Sequence, residues 1–263
     1  MSRPSSLAGR AHAMILAAGR GSRLRPFTET TPKPLVSVAG HPLVAYGLGL
    51  LRWHGFEDVV VNVHHLRERI METLGDGSGS GLRIRYSVEP ELLDTGGGIR
   101  QAATLLADRF PPREPVVVLN ADIICDVPLD LVLATHLENR ALATFVLRED
   151  PEAQRYGVFG IDATGRIRRF LGRTPSPDRG PPAVDLRELM FASVQILAPE
   201  LIAAMPEGPF SSMHHLYPRL FEHGATFQGF PYAGLWHVVD TPSDLAAVDE
   251  SLRRRGLPRF MLD

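Results

Sequence analysis

The chain has 263 residues, of which 44% are hydrophobic and 22% charged. That is enough apolar material for a full α/β core. Its formal net charge of −2 supplies no basic field for nucleic acid. A single cysteine, Cys125, excludes an internal disulfide and fits a reducing compartment, so the cytoplasm is the default location. No apolar run is long enough to span a bilayer. The polar start MSRPSSLAGRAH lacks the apolar stretch of a signal peptide and is expected to fray as a tail over residues 1–12, ahead of one domain over 13–263.

The first informative stretch runs from Ala13 to Pro34. A short apolar run, Met14-Ile15-Leu16, feeds a loop holding Gly19, Arg20, Gly21, Ser22 and Arg23, and Lys33 follows between Pro32 and Pro34. Glycines let backbone N–H groups approach an anion closely. Arginine offers a planar fork to phosphate oxygens and lysine a point charge. The pattern therefore points to phosphate, against the alternative of a surface turn with solvated cations. It is not a P-loop, because no Gly-Lys-Ser/Thr follows. It is not the dinucleotide fingerprint either, because Leu24 stands where a third glycine belongs.

Strand and helix signals alternate from there, which argues for a sheet wrapped by helices. Leu43 to Trp53 has helical spacing and Asp58 to Val63 reads as a buried strand. Leu66, Ile70 and Leu74 mark a helix face, and Leu82 to Val88 is the next strand. A second glycine-rich loop follows, from Glu89 to Gly96-Gly97-Gly98, before a helix with Ile99, Ala103 and Leu106 inward. Three glycines in a row would bring bare backbone up to a flat group and leave N–H groups free at a helix start, unless they form only a hinge. Pro115 to Leu119 is a buried strand ending at Asn120-Ala121-Asp122. Open α/β sheets place their chemistry beyond the carboxyl ends of strands, and a carboxylate there suits Mg²⁺ unless it merely caps a turn. Asp126 reads as structural, and the pairs His64-His65 and His214-His215 as surface or packing residues.

Further on, Leu129 to Leu137 and Met213 to His223 read as helices, as does Pro199 to Met205. Ala141 to Leu147, Tyr156 to Ile161, Arg166 to Leu171, Phe191 to Leu197 and Thr226 to Val239 read as extended. Residues 172–184, rich in Pro and Gly, read as a loop that could cover a site. Thr241-Pro242-Ser243-Asp244 opens the last helix with a capping box and Pro at its first position.

The series Leu16-Ala17-Ala18-Gly19-Arg20-Gly21-Ser22-Arg23, then Pro26-Phe27-Thr28, then Pro32-Lys33-Pro34, resembles the signature of the sugar-1-phosphate nucleotidylyltransferases, also called nucleoside-diphospho-sugar pyrophosphorylases. The resemblance implies an α/β, three-layer Rossmann-like fold with a mostly parallel mixed central sheet. It implies a nucleotide-binding half over 13–125 and a sugar-phosphate half over 126–263. The reaction it implies joins a nucleoside triphosphate to a sugar 1-phosphate and releases pyrophosphate, with Mg²⁺ as cofactor, in a monomer or homo-oligomer without nucleic acid or membrane partners. By resemblance, Arg23 and Lys33 are the catalytic cations. Leu16, Ala17, Ala18, Gly19, Gly21, Ser22, Glu89, Gly96, Gly97 and Gly98 hold the nucleotide, with Glu89 reading the base. Asn120, Gly157 and Arg173 hold the sugar phosphate, and Asp122 and Asp240 the metal. The nearest branches are the N-acetylmuramate-1-phosphate uridylyltransferases and the mannose-1-phosphate guanylyltransferases, with UTP favoured over GTP.

The second half departs from the family pattern. Leu171-Gly172-Arg173-Thr174-Pro175 stands where relatives carry Glu-Lys-Pro, with Gly172 in place of the Glu and Arg173 in place of the Lys, and Phe191-Ala192-Ser193 stands where they usually carry a glycine. In Trp236-His237-Val238-Val239-Asp240, the expected second metal ligand falls on Val238, and Asp240 lies two residues later. A binding-only relative that senses nucleotide or nucleotide sugar therefore stands as the alternative. A dehydrogenase-type fold is disfavoured, because its ribose-binding acid is missing after Asn62-Val63-His64.

Overall fold

The computed structural model describes residues 4–107, 109–151, 153, 157–174 and 185–262. In chain order the elements are β1 (His12–Leu16), β2 (Ser37–Val38), β3 (His41–Pro42), α1 (Leu43–Trp53), β4 (Asp58–Val63), α2 (Arg67–Leu74), β5 (Arg83–Val88), α3 (Asp94–Leu106), β6 (Val116–Asn120), β7 (Ile123–Cys125), α4 (Leu129–Asn139) and β8 (Ala143–Arg148). They continue with β9 (Val158–Ile161), β10 (Ile167–Phe170), β11 (Arg187–Leu197), α5 (Pro199–Ala203), α6 (Tyr217–Glu222), β12 (Phe227–Pro231), β13 (Trp236–Val238) and α7 (Pro242–Arg255).

The central sheet is mixed, in the order β10-β9-β11-β6-β1-β4-β5, with β8 on β11 and β12 on β8. β6, β1, β4 and β5 run parallel, and β11 runs antiparallel to its neighbours β6, β8 and β9. Alternation along the strands sorts the core into two layers. Ala13, Ile15, Val61 and Val117 pack in one cluster with α1, α4 and α7, while Met14, Val60, Val116 and Val118 pack in the other with α3, α5 and α6. Both faces of the parallel strands are therefore covered, which is why DVVVNV and VVVL read as continuous apolar runs. An aromatic group of Phe145, Phe159, Phe170, Tyr217 and Phe227 fills the second cluster.

Three expectations need correction. The amino-terminal segment does not fray as far as residue 12: Leu7 is fully buried and donates its N–H to the His54 carbonyl, and His12 opens β1. The stretch 226–239 is not one extended run but two strands, β12 in the main sheet and β13 paired with β7. Gly96-Gly97-Gly98 lies inside the first turns of α3 rather than in a loop ahead of it. Most of the expected cover, residues 175–184, and Tyr156 lie outside the described residues. The capping box is present as read: the Thr241 side chain accepts from Asp244 N–H and the Asp244 carboxylate accepts from Thr241 N–H. Among the described residues, no helix is long and apolar enough to cross a membrane.

Candidate active site

β1 lies between β4 and β6, so its carboxyl end opens at the middle of the sheet. The Ala17–Ser22 loop springs from that end. Gly21 is held at φ +62°, and a Cβ there would lie 2.9 Å from the Lys33 Cβ and 3.0 Å from the Thr28 methyl. The glycine therefore lets the Pro32-Lys33-Pro34 segment pack directly on the loop. Thr28 fastens the same contact by donating its hydroxyl to the Gly21 carbonyl at 2.8 Å. Gly19 differs, because no protein atom comes within 4 Å of where its Cβ would sit.

Lys33 turns inward from this packing. Its ammonium donates to Asp122 Oδ2 and to Asp240 Oδ1, each at 2.6 Å. Arg23 Nη2 reaches Asp240 Oδ2 at 3.0 Å, with its side chain 62% exposed at the mouth of the cleft. Burial alone would lower the Lys33 pKa, but the Asp122 and Asp240 carboxylates more than offset it, and the pKa is raised. The ammonium is thus charged across the neutral range.

The two carboxylates come from segments 118 positions apart that the topology brings together. Asp122 follows β6, the immediate neighbour of β1. β13 pairs antiparallel with β7, with Val238 opposite Ile123, and Val239 N–H donates to the Asp122 carbonyl. The strand stops at Val238, and the chain turns at Asp240 toward the Thr241 cap of α7. That turn holds Asp240 beside Asp122, where a continued strand would have carried it past. Asp122 Oδ1 is buried with no hydrogen-bond partner among the described residues. An unpartnered carboxylate oxygen next to a second carboxylate is a donor set suited to a hard divalent cation, whose other positions phosphates and water can fill.

Arg23, Asn120, Asp122 and Asp240 line one cleft with Met190, Phe191, Ser193, Trp236 and Val238. The other residues picked out in the sequence lie around it in different states. Leu16 ends β1. Ala17 and Ala18 are buried, and Ala17 N–H is already given to Asn62 Oδ1 at 2.7 Å. Ser22 opens the turn that carries Arg23. Glu89 is fully buried: one carboxylate oxygen accepts from Asn62 Nδ2 at 2.7 Å and the other from Leu93 N–H at 3.0 Å. Burial raises its pKa against those hydrogen bonds. A Cβ on Gly96 would overlap the Phe210 ring, and Gly96 and Gly97 both donate to the Phe210 carbonyl. A Cβ on Gly98 would meet Asn62 Nδ2 at 2.7 Å and Glu89 Oε1 at 2.8 Å. Gly157 stands against the Leu171 side chain, and Arg173 pairs with Glu222 at 2.7 Å; neither lines the cleft.

Sequence reasoning missed Asn62, whose signal was a lone amide inside an otherwise apolar strand. It also missed the apolar wall of Met190, Phe191 and Trp236, which nothing local marks. His64 and His65 bond to backbone carbonyls and His215 Nδ1 accepts from Ser211 N–H, as packing residues do. Asp126 is likewise structural, accepting from the Tyr232 hydroxyl and from Leu235 N–H. No group of three or more His, Cys, Asp or Glu gathers among the described residues.

Two cations and two carboxylates from distant segments thus meet beyond the carboxyl ends of the central strands. A nucleotidyl transferase family model matches residues 12–181. The chain belongs to the nucleotidyl transferase family. It is 35% identical to the N-acetylmuramate alpha-1-phosphate uridylyltransferase of Neisseria meningitidis, over 87% of this chain and 93% of the relative. It is 33% identical to a UTP–glucose-1-phosphate uridylyltransferase of Synechocystis, over 82% of this chain and 56% of the relative. It is 31% identical to the catalytic subunit beta of the Danio rerio mannose-1-phosphate guanylyltransferase, over 88% and 62%. The chain therefore spans little more than half of some relatives and nearly all of another. The fold is that of HddC from Yersinia pseudotuberculosis, solved with GMP-PN, at TM-score 0.74 and 20% identity over 91% of this chain and 98% of that one. By family, the chain is a sugar-1-phosphate nucleotidylyltransferase with the α/β, Rossmann-like fold its signature implies.

Proposed function

We propose that this chain transfers a nucleotidyl group from UTP, in preference to GTP, to a sugar 1-phosphate. The observation that carries the reading is the Lys33 ammonium between Asp122 and Asp240, with Arg23 at the same cleft. An oxygen of the sugar 1-phosphate attacks the α-phosphorus, that P–O bond forms, and the bond to pyrophosphate breaks. The nucleophile is already an anion, so the site needs no strong general base. Its work is to align two polyanions and neutralise the charge between them.

Arg23 and Lys33 are the groups that cover the α- and leaving phosphates, and the N–H groups of Gly19 to Ser22 hold the pyrophosphate portion. Asp122 and Asp240 would hold Mg²⁺, which would supply charge neutralisation at the phosphates. Asn120 belongs to the sugar-phosphate side. In this reading residues 13–125 form the nucleotide half and 126–263 the acceptor half of a cytoplasmic enzyme. The uridylyltransferase relative that this chain spans almost completely supports the preference for UTP.

The test is pyrophosphate release with Mg²⁺, each common nucleoside triphosphate in turn, and glucose, mannose, N-acetylglucosamine and N-acetylmuramate 1-phosphates. Release with UTP and one acceptor is the expected result. No release from any pair, with thermal stabilisation by nucleotide alone, would replace transfer by a sensing role.

A further inference from the structure

β11 changes partners along its length. Residues Val194 to Leu197 pair with β6, and Arg187 to Met190 pair with β9. Its pairing with β8 shifts register between Phe191 and Gln195. Ser193 sits at that shift with φ +61°, in the left-handed region. An L-residue is strained there, and glycine is not. The irregularity is anchored from outside the strand: Trp236 donates its indole N–H to the Ala192 carbonyl at 3.0 Å.

The register with β6 shows where this strained residue stands. Val194 pairs with Leu119, so Ser193 comes opposite Asn120, at the point where the ladder ends. Both residues line the active-site cleft with Asp122. Among the described residues, neither the Ser193 hydroxyl nor the Asn120 amide makes a hydrogen bond. Met190, Phe191, Trp236 and Val238 form the apolar side of the cleft next to them. A few free polar groups beside an apolar surface are what fixes the orientation of a bound molecule. Backbone strain retained at such a place marks a side chain that is used.

We propose that Ser193 is a specificity-determining residue of the acceptor side, forming with Asn120 a two-point hydrogen-bonding clamp for sugar hydroxyls. The inference rests on the transfer reading above and adds a contact to it. The Ser193 hydroxyl both donates and accepts, and the Asn120 amide does the same, so together they read a pair of neighbouring hydroxyls. Ser193 touches the acceptor and not the phosphates of the nucleotide.

The test compares wild type, Ser193→Ala and Ser193→Gly with the best acceptor of the four sugar 1-phosphates. The alanine keeps the left-handed Cβ and removes only the hydroxyl; the glycine also removes the strain. The clamp predicts that both raise the acceptor KM about three- to ten-fold, the effect of one hydrogen bond. The nucleotide KM and kcat stay within two-fold, and the glycine variant melts about 2–4 °C higher. An acceptor KM unchanged in Ser193→Ala, or a nucleotide KM that moves equally, overturns the clamp. If wild type releases no pyrophosphate with any pair, the transfer reading fails separately. The same variants are then compared by calorimetric binding of the four sugar 1-phosphates. Weaker binding in Ser193→Ala upholds the clamp; equal binding, or none by wild type, overturns it.

Discussion

The two glycine segments look alike in the sequence and differ in the folded chain. Gly19 and Gly21 sit in a loop at the mouth of the cleft, where only Gly21 is crowded, and only by Lys33 and Thr28. Gly96, Gly97 and Gly98 lie within a helix, and each is crowded by the protein itself, through Phe210, the Gly208 carbonyl and the Asn62–Glu89 pair. In the first segment the missing side chains leave open space at Gly19 and room for Lys33 to pack at Gly21. The second uses them to let the chain's own parts close up. From Ala17 through Asn62 and Glu89 to Leu93, a line of buried hydrogen bonds then ties the two segments together.

Single added methyl groups test this contrast. Gly21→Ala would place a Cβ 2.9 Å from the Lys33 stem at φ +62°. It is expected to displace the ammonium and lower turnover about 100-fold, as an ångström-scale misplacement of a catalytic group does. Steady-state pyrophosphate release measures this. Gly19→Ala meets no protein atom. Stability should stay within about 0.5 kcal/mol in urea unfolding, while the nucleotide KM rises about ten-fold because the added methyl holds a phosphate oxygen out of reach of one backbone N–H. A destabilised Gly19→Ala would erase the distinction between the segments. Gly98→Ala should do the reverse: it forces apart the Asn62–Glu89 contact and removes about 1–3 kcal/mol of stability. The residual folded enzyme should keep its nucleotide KM within a few-fold.

A further effect lies away from both segments. Burial lowers the pKa of His54 to about 4, against the pull of Asp130, and that of His136 to about 4, against Glu200. Each ring stays neutral in the folded chain while it charges when unfolded. The unfolded state then binds more protons below the ordinary value of 6.5, so stability is full above that pH and falls as the pH drops toward 4. The urea midpoint should decline over that window, and less so in His136→Gln.

Local chemistry explains what the sequence disclosed. The buried strands, the glycine loop, the Pro-flanked Lys33, the carboxylate after β6 and the capping box of α7 are each written within a few neighbouring residues. What stayed hidden depends on distant parts of the chain. The helical setting of Gly96 to Gly98 is dictated by Phe210, more than a hundred positions away. Asp240 reaches the cleft only because β13 pairs with β7 and then stops. Spacing along one strand puts Val238 and Asp240 on the same face, and both line the cleft, but it could not show that the strand would stop at Val238 and leave Asp240 beside Asp122. The bend of β11 that exposes Ser193 likewise follows from three partner strands.

We propose that the Lys33 ammonium between Asp122 and Asp240 is part of the catalytic machinery. The most direct test is pyrophosphate release by Lys33→Met with Mg²⁺, at saturating nucleotide and acceptor, on protein whose fold is checked by circular dichroism. The expected result is a fall of about 100- to 1000-fold, the scale of losing one charge-stabilising donor from a closed site. Turnover within ten-fold of wild type would contradict it, and would make the three-charge cluster a structural strut.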